Sequence, residues 1–534
     1  MAADRLSADA RFTRRVGLFS LGTLLSRVLG LVRESVFAYL FGAGFATDAF
    51  NVAFRIPNFF RDLFAESALS AAFVPAFIRS LENEEREHTW RFAANMLNTL
   101  ALVIGLLVVL GIVFAPQVVR LVAMGFVDEP AKLQLTVLLT RVMFPFLLFV
   151  VFAAWAMGIL NACGTFFVPA LAPAAFNVVS VVAPLAGYAW FRARGMEPIL
   201  GMAIGVTLGS LAQFAIQLPR LRSHGFRWKP VIDLASPELR RVFTRWVPMV
   251  LGYASWQVNF LLNTFLLTFL PEGSVTWVNY AYRIQHLPAG LFGAAIGTVA
   301  LAEYSRRAAT DRQPEVRDRF RHAMDLVAAL SLPAAALLLA LAPEVVRLLF
   351  ERGRFTPLDT TLTSQALMLY CLGIWSAAAT RNCAAGFYSL GDTRTPALVA
   401  VGVVAANVGI NLVLMRIIGF RSFPLAAAVT GAANFVVLFI LLRKRLGGLA
   451  TRHLASVTIR TLAASVLAGL AARGAASGLG VLVPAGGLAG KALVVLVGGG
   501  VGTGIYLAAS RLLRIREVFE AIRQLLGRFA PHRG

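Results

Sequence analysis

Charged residues are scarce in this sequence. They make up 14% of the 534 residues, whereas hydrophobic residues make up 58%. A soluble globular protein carries about 25% charged residues, so this composition excludes an ordinary soluble fold. Apolar runs of about 20 residues, the length at which a helix crosses a bilayer, recur along the whole chain. The sequence therefore predicts an all-α polytopic membrane protein.

Motifs of nucleotide-driven or metal-dependent enzymes are also missing. The one Gly-Lys pair, Gly490-Lys491, lacks the glycine spacing of a phosphate-binding loop. The sequence has no Asp-rich metal motif, and no two cysteines have the spacing of a metal site or a redox pair. The cysteines are Cys163, Cys371 and Cys383. We therefore expect a transporter rather than an enzyme, and no cofactor.

Acidic residues are outnumbered by basic ones, 27 to 50, which gives a formal net charge of +23. Such an excess can indicate a nucleic-acid-binding protein. Here the basic residues lie in alternate connections between apolar segments, where the positive-inside rule places them. We therefore predict no nucleic-acid partner, an even number of spans and two cytoplasmic termini. The basic connections lie near residues 5–15, 79–91, 220–229, 306–321, 443–452 and 511–523.

The chain also contains an internal duplication. Residues 115–121 return at 342–348, 227 residues later, and residues 51–56 return at 279–284 with an offset of 228. Matches that keep one register over such a distance indicate a structural repeat. The repeat holds six spans, and an even number keeps both copies in the same orientation in the membrane.

The apolar pattern fits fourteen transmembrane helices. The repeat arranges them as two six-helix lobes with two additional helices after them. The predicted domains are an N-terminal lobe at 1–228, a C-terminal lobe at 229–446, and the last two helices with a basic cytoplasmic tail at 447–534. The predicted spans lie at approximately 16–41, 46–80, 92–115, 133–162, 166–191, 198–219, 240–270, 275–305, 320–342, 360–389, 395–416, 423–443, 455–476 and 487–511.

The second span carries a polar stripe. Five polar residues recur at spacings of four, three, four and four, so at about 100° per residue they share one face of a helix. They are Asn51, Arg55, Asn58, Asp62 and Glu66. Such a helix either lies flat on a membrane or faces a wet cavity. The repeat favours a cavity, because transporters with parallel repeats bind substrate between their lobes.

The charges inside the predicted spans indicate the chemistry of the ligand. An Arg at the bilayer centre costs about 2.5–3.5 kcal/mol on insertion scales. Structural ion pairs, such as Arg33 with Glu34, are one explanation. The arginines outnumber the acids that could neutralise them, however, and surplus guanidinium favours an anionic, phosphorylated substrate. These arginines are Arg27, Arg33, Arg55, Arg61 and Arg283.

The same segments resemble a known family. Their motifs are Ser26-Arg27-Val28-Leu29-Gly30, Arg33-Glu34, Phe41-Gly42-Ala43-Gly44, Thr47-Asp48-Ala49-Phe50, Arg55-Ile56-Pro57-Asn58 and Ala72-Phe73-Val74-Pro75. Together they are similar to the N-terminal signature of the MurJ (MviN) family. This family comprises the bacterial lipid II flippases of the multidrug/oligosaccharidyl-lipid/polysaccharide exporter superfamily. The length of fourteen spans fits that family along the whole chain.

The resemblance implies a function in cell wall synthesis. A member of this family would move lipid II, the undecaprenyl-diphosphate-linked disaccharide-pentapeptide, from the inner to the outer leaflet of the cytoplasmic membrane by alternating access. We expect it to act as a monomer among membrane lipids, with the last two spans forming a groove for the polyprenyl tail. Coupling to the membrane potential or a monovalent cation is also implied.

The resemblance assigns roles to individual residues as well. By motif match, four arginines would bind the diphosphate and the peptide carboxylates, and Glu34 would orient neighbouring arginines. The four are Arg27, Arg33, Arg61 and Arg283. Asp48 stands at the family's Thr-Asp-Ala position, and we place it with Arg55 and Asn58 in the substrate site.

Three further points stay open at this stage. An exporter of another polyprenyl-linked saccharide would need the same cavity charge. A MATE-like drug/cation antiporter usually has an acidic cavity and twelve spans, in contrast to the pattern here. Asn407 and Asn411 loosely match the location of a sodium site in some family members, although polar packing explains them equally simply.

The charge asymmetry predicts that both termini and the loop at 306–321 are cytoplasmic. β-Galactosidase fused at Arg312 should therefore be active, and alkaline phosphatase fused at the same residue should be inactive. The opposite pair of activities would invert the topology.

Overall fold

A computed structural model describes residues 2–66, 68–308, 313–482 and 487–520. All regular structure in these ranges is helical, in agreement with the predicted all-α fold. The chain forms two compact units. The first comprises residues 1–275 and 352–355, and the second comprises residues 276–351 and 356–534.

The first unit contains helices α1 to α11. A π-helical turn, Asp62–Glu66, follows the second of them. The α-helices are α1 (Ala2–Phe41), α2 (Phe45–Arg61), α3 (Ala68–Asn83), α4 (Arg86–Val113), α5 (Ala115–Val122), α6 (Pro130–Met143), α7 (Phe146–Ala162), α8 (Phe167–Ala193), α9 (Leu200–Ala215), α10 (Leu218–Ser223) and α11 (Pro237–Leu267).

The second unit contains helices α12 to α20, the first of which begins at the boundary between the units. They are α12 (Ser274–Ala308), α13 (Gln313–Ala340), α14 (Ala342–Leu349), α15 (Pro357–Cys371), α16 (Ile374–Ser389), α17 (Arg394–Ile418), α18 (Ser422–Arg445), α19 (Thr451–Leu482) and α20 (Leu488–Leu512).

Many of these helices are long and apolar enough to cross a membrane. Within the described ranges, nine helical segments meet that standard, and one of them, Arg394–Arg445, contains both α17 and α18. Their outer faces expose large aliphatic side chains, as Leu102, Leu106 and Val109 do on α4. Exposed apolar faces of this extent indicate contact with lipid. The count of fourteen spans stays a prediction.

The bounds of the helices follow the repeated sequence. α5 and α14 begin 227 residues apart, and so do α6 and α15. In each unit a short break then divides one predicted span into two helices, at Phe144-Pro145 and at Leu372-Gly373. The lobe boundary at residue 228 stays a prediction from the repeat. By its contacts, α11 belongs to the first unit, where it packs against α3 and α2.

The break between α6 and α7 has an identifiable cause. Pro145 has no backbone N–H, and its ring crowds the preceding turn, so it favours a kink or a break in an α-helix. Nearby, the Thr207 hydroxyl donates to the Val142 carbonyl at 2.8 Å. Such side-chain donors keep broken helices tolerable inside a membrane. The next helix, α7, begins at Phe146.

The turn between α1 and α2 depends on glycine. Gly42 has φ +66°, and a Cβ added there would lie 2.5 Å from the carbonyl oxygen of Arg354. Left-handed backbone costs a residue with a Cβ about 1–2 kcal/mol, and the clash with a backbone atom adds to that cost. This turn sets where α2 starts.

We predict that Gly42→Ala lowers the unfolding temperature of the purified protein, measured by intrinsic fluorescence in detergent. Gly195→Ala is the matched control, because Gly195 has φ +69° but a Cβ there meets no described atom within 4 Å. The control should lose clearly less stability. Equal losses would show that the packing around Gly42 contributes nothing.

Candidate functional site

A cavity of about 430 Å³ lies in the first unit. It is bordered by α1, the end of α2, α7, α8 and α9, and its volume falls in the range of small-molecule binding pockets. Apolar side chains such as Phe146 and Phe176 form much of its wall. The polar residues that line it are Arg33, Arg61, Asn177, Gln213 and Gln217. Two of the predicted substrate residues, Arg33 and Arg61, are therefore brought together.

Arg33 is held by its neighbour in sequence. Its Nη2 donates to Oε1 of Glu34 at 2.5 Å, and its Nε donates to the same oxygen at 3.2 Å. The guanidinium carbon lies 5.4 Å from the ring centroid of Phe176, a cation–π distance. Arg33 thus uses one edge of its five-donor fork on Glu34. This contact is the geometry that an orienting role of Glu34 requires, and the role itself stays a prediction.

Arg61 has the same arrangement on the second helix. Its Nη2 and Nε donate to Oδ1 of Asp62 at 2.5 and 3.0 Å. The other carboxylate oxygen of Asp62 accepts from Nδ2 of Asn58 at 3.4 Å. The amide oxygen of Asn58 is buried and has no hydrogen-bond partner among the described residues. A ligand with a hydroxyl or an N–H group could supply that missing donor.

The predicted polar stripe is interrupted at this point. The stripe assumed α-helical spacing from Asn51 to Glu66, but the turn Asp62–Glu66 is π-helical. A π turn bonds each N–H to the carbonyl five residues earlier, so the side chains after it are rotated relative to an α-helix. Such turns are frequent at functional sites. The side chain of Glu66 lies outside the described part of the chain.

These pairs change the argument from surplus charge. The sequence suggested that the inner arginines outnumber their acids, but Arg33 and Arg61 each have the following residue as a counter-ion. The cavity is therefore closer to neutral than expected. A charged ligand would have to share the guanidinium groups with Glu34 and Asp62, instead of meeting unpaired cations.

Asp48 lies in a different environment. Its side chain is 1% exposed, its Oδ2 accepts from the backbone N–H of Gly273 at 2.7 Å, and Nζ of Lys132 lies 3.8 Å away. Lys132 is equally buried and sits 4.4 Å above the ring of Phe126. Asp48 is not among the residues that line the cavity. The network joins the first turn of α2 to α6, so its geometry supports a positioning role.

The other predicted arginines lie outside the lining of this cavity. The Arg55 guanidinium stacks over the ring of Phe260 on α11, at 5.0 Å. Arg27 is exposed on α1. Arg283 is half-buried on α12, in the second unit. The assignment of these three residues to the substrate site stays a prediction.

The weak sodium candidates form a packing contact. Nδ2 of Asn411 donates to Oδ1 of Asn407 at 3.2 Å, and Nδ2 of Asn407 donates to Thr430 at 3.4 Å. Since Thr430 belongs to α18, the amides join α17 to α18. Hydrogen bonds of this kind hold membrane helices together.

Two charged residues escaped the sequence analysis. Lys132 stands one residue before the predicted span 133–162, so it was not among the charges assigned to the spans, although it is buried. Arg381 is half-buried in the middle of α16, near Tyr282. The repeat could have revealed Arg381, because Ala154, 227 residues earlier, lines the cavity of the first unit.

Comparison with known families decides the assignment. The family model described as "Lipid II flippase MurJ" matches residues 37–484. The chain belongs to the MurJ family. A probable lipid II flippase MurJ of Vibrio cholerae is 35% identical over 429 residues, which cover 78% of this chain and 80% of the relative. A lipid II flippase MurJ of Burkholderia cenocepacia is 34% identical over 428 residues, covering 79% and 82%.

Solved structures support the same fold. A lipid II flippase MurJ in an inward closed conformation gives a TM-score of 0.73 at 23% identity, with 93% of this chain and 98% of that chain covered. An inward-facing MATE family multidrug transporter of the MOP superfamily gives 0.65 at 16% identity, with 81% and 98% covered. At these identities the likeness shows the fold alone. The shared fold is the predicted all-α transporter architecture.

The positioning role of Asp48 predicts a stability effect. Asp48→Asn or Lys132→Met should each destabilise the protein, by up to about 3–5 kcal/mol, because each removes the buried partner of a buried charge; Lys132 also has the half-exposed Glu129 at 3.7 Å, which should moderate the loss in Asp48→Asn. The double variant should lose less than the sum of the two, since it buries no lone charge. Chemical or thermal unfolding in detergent measures all three.

The exposed pair Lys229–Glu87, at 2.8 Å, is the control for this effect. Removing either member should change stability little, because solvent screens exposed ion pairs. Asp48 would not have the positioning role if Asp48→Asn unfolded like the wild type yet failed to function.

Proposed function

We propose that this chain is a lipid II flippase of the bacterial cytoplasmic membrane. The observation that carries the proposal is its similarity to proteins named lipid II flippase MurJ along about four-fifths of both chains. Flipping a lipid-linked saccharide is transport, so we propose no catalytic residues. The substrate is a diphosphate lipid whose headgroup is anionic and rich in hydroxyl and amide groups.

The cavity residues would act on that headgroup in a defined way. In the ligand-free state, Glu34 and Asp62 hold Arg33 and Arg61 in place and keep an unpaired charge out of a low-dielectric space. A diphosphate would then take guanidinium donors that the carboxylates do not use, or replace a carboxylate. Arg binds phosphate bidentately, which a Lys cannot reproduce. Asn58 does not line the cavity, and it would act through Asp62, whose second carboxylate oxygen accepts from its amide.

Alternating access follows from differential binding. A ligand shifts a conformational equilibrium only by its difference in affinity for the two states. We propose that the diphosphate binds the arginines more tightly in one state, and that Arg283 takes part in this difference. The protein would work as a monomer with cytoplasmic termini. The membrane potential or a monovalent cation would drive transport, without a bound cofactor.

Depletion followed by complementation tests the site. In a host depleted of this protein, Arg33→Ala, Arg61→Ala and Arg283→Ala should be produced at normal levels but fail to restore growth. Arg-to-Lys changes at Arg33 and Arg61 should rescue poorly. Arg55→Lys should restore growth, because Lys can keep a cation over the Phe260 ring. Arg194→Ala controls for the loss of an exposed Arg, since the described contact of this side chain is with Trp190 of the adjoining helix α8.

The lipid that accumulates during depletion identifies the substrate. Lipid II should build up in the inner leaflet, as measured by its resistance to an externally added lipid II-cleaving enzyme. Accumulation of a different polyprenyl-linked saccharide, with normal lipid II, would favour the alternative exporter. Full growth with Arg33→Ala and Arg61→Ala would remove the cavity from the mechanism.

A further inference from the structure

Three metal-ligand side chains meet in the second unit. Asp325 of α13, His453 at the start of α19 and Glu517, which follows α20, bring one ligand atom each within 4.8 Å of one another. His453 Nε2 lies 3.2 Å from Oδ2 of Asp325. The three residues are 64 or more positions apart in sequence, so the fold assembles them. None of them belongs to the arginine cavity or to the proposed transport mechanism.

One carboxylate oxygen of Asp325, Oδ1, is buried without a hydrogen-bond partner among the described residues. The relative exposure of Asp325 is 4%. A buried carboxylate oxygen without a partner is costly, and native structures rarely leave one. Its neighbour His453 is exposed and contacts only the other oxygen, Oδ2. The cluster therefore has an unused acceptor, Oδ1 of Asp325, and it can be reached from solvent past the exposed His453.

The donor set selects one class of ligand. One imidazole nitrogen and two carboxylates match the ligands of zinc-type ions, whereas Mg²⁺ and Ca²⁺ prefer oxygen alone. Ligand atoms 2.0–2.1 Å from a tetrahedral zinc ion lie about 3.3 Å apart. The ligand atoms now lie within 4.8 Å of one another. Side-chain rotation of the exposed His453 and the half-buried Glu517 would bring them to the shorter distance.

The surrounding charge is compatible with a cation. Arg321 lies one helical turn before Asp325 on α13 and opposes a metal ion. Asp318 engages Arg321 at 3.4 Å. Among the described residues, Glu517, His453 and Arg321 interact electrostatically with Asp325, so the cluster offers an ion two carboxylates while Asp318 draws Arg321 towards itself.

We propose that Asp325, His453 and Glu517 form a binding site for a divalent transition-metal ion of the zinc class. With three protein ligands, the ion keeps one position for water. The ion joins α13 to the start of α19 and to the segment after α20. The first residues of this helix pair and the residues that follow it are thereby both held against α13. By the charge rule, these ends face the cytoplasm, from which the ion would enter past His453.

The test uses the full-length chain in detergent, freed of metal with a chelator, and Zn²⁺ alone as the probe. Competition with a chromogenic chelator should show one Zn²⁺ per chain. His453→Ala and Glu517→Gln should each weaken binding at least about tenfold. Co²⁺ in place of Zn²⁺ should give the visible absorption of a tetrahedral site in the wild type, and it should be lost in both variants. Zn²⁺ should also raise the unfolding temperature of the wild type.

His224→Ala is the matched control, because His224 bonds Thr165 in the first unit and has no part in the cluster. It should bind Zn²⁺ and Co²⁺ like the wild type. The proposal is overturned if the wild type binds no Zn²⁺, or if His453→Ala and Glu517→Gln bind it as the wild type does. Glu517 follows the last long helix, so Glu517→Gln should disturb folding little. This variant therefore tests the proposal even if His453→Ala folds poorly.

Discussion

The cost of placing charge inside a membrane governs the polar structure of this protein. A lone Arg or Asp at membrane depth is expensive, so it needs a counter-ion, a wet cavity or both. Arg33 and Arg61 have both, since each pairs with the next residue and lines the cavity. Asp48 and Lys132 form a pair in which both members are buried, and neither lines the cavity. One physical constraint therefore produces two kinds of pair.

The two kinds of pair suit different tasks. A pair beside a cavity can exchange its carboxylate for a ligand phosphate at modest cost, because water and other donors are at hand. A pair with both members buried cannot open without leaving a charge in a low-dielectric space. Arg33 and Glu34 thus suit binding, whereas Asp48 and Lys132 suit the fixing of one helix against another. The solvent exposure of an ion pair, and not its residue types, therefore distinguishes a binding role from a structural one.

Periodicity and charge in the sequence identified much of this arrangement. The spacing of polar residues located the helix that carries Arg61, and the motif pattern pointed to Arg33 and Glu34. The π turn at Asp62–Glu66 was not predictable, because helical spacing assumes one repeat throughout. Ion pairs such as Arg33 with Glu34 were one of two explanations that the sequence left open, since the pairing of successive residues depends on rotamers and not on the helix face. Lys132 was missed because hydropathy places the boundary of a span at the first charged residue, so a buried charge at that boundary is assigned to the loop.

The internal repeat preserves the places of polar contacts better than their chemistry. Lys132 reaches Asp48 in the first turn of α2. Asp359, 227 residues later, accepts from the indole N–H of Trp277 in the first turn of α12 at 2.9 Å. The contact in the first unit is an ion pair, whereas the contact in the second unit is a hydrogen bond from a neutral indole to a carboxylate. Likewise Ala154 stands where the second copy has Arg381. The two copies therefore share the positions at which the start of a helix contacts its neighbour, but they differ in the charge of the residues at those positions. A functional residue in one copy thus indicates a position to inspect in the other, and its role has to be argued from the local contacts.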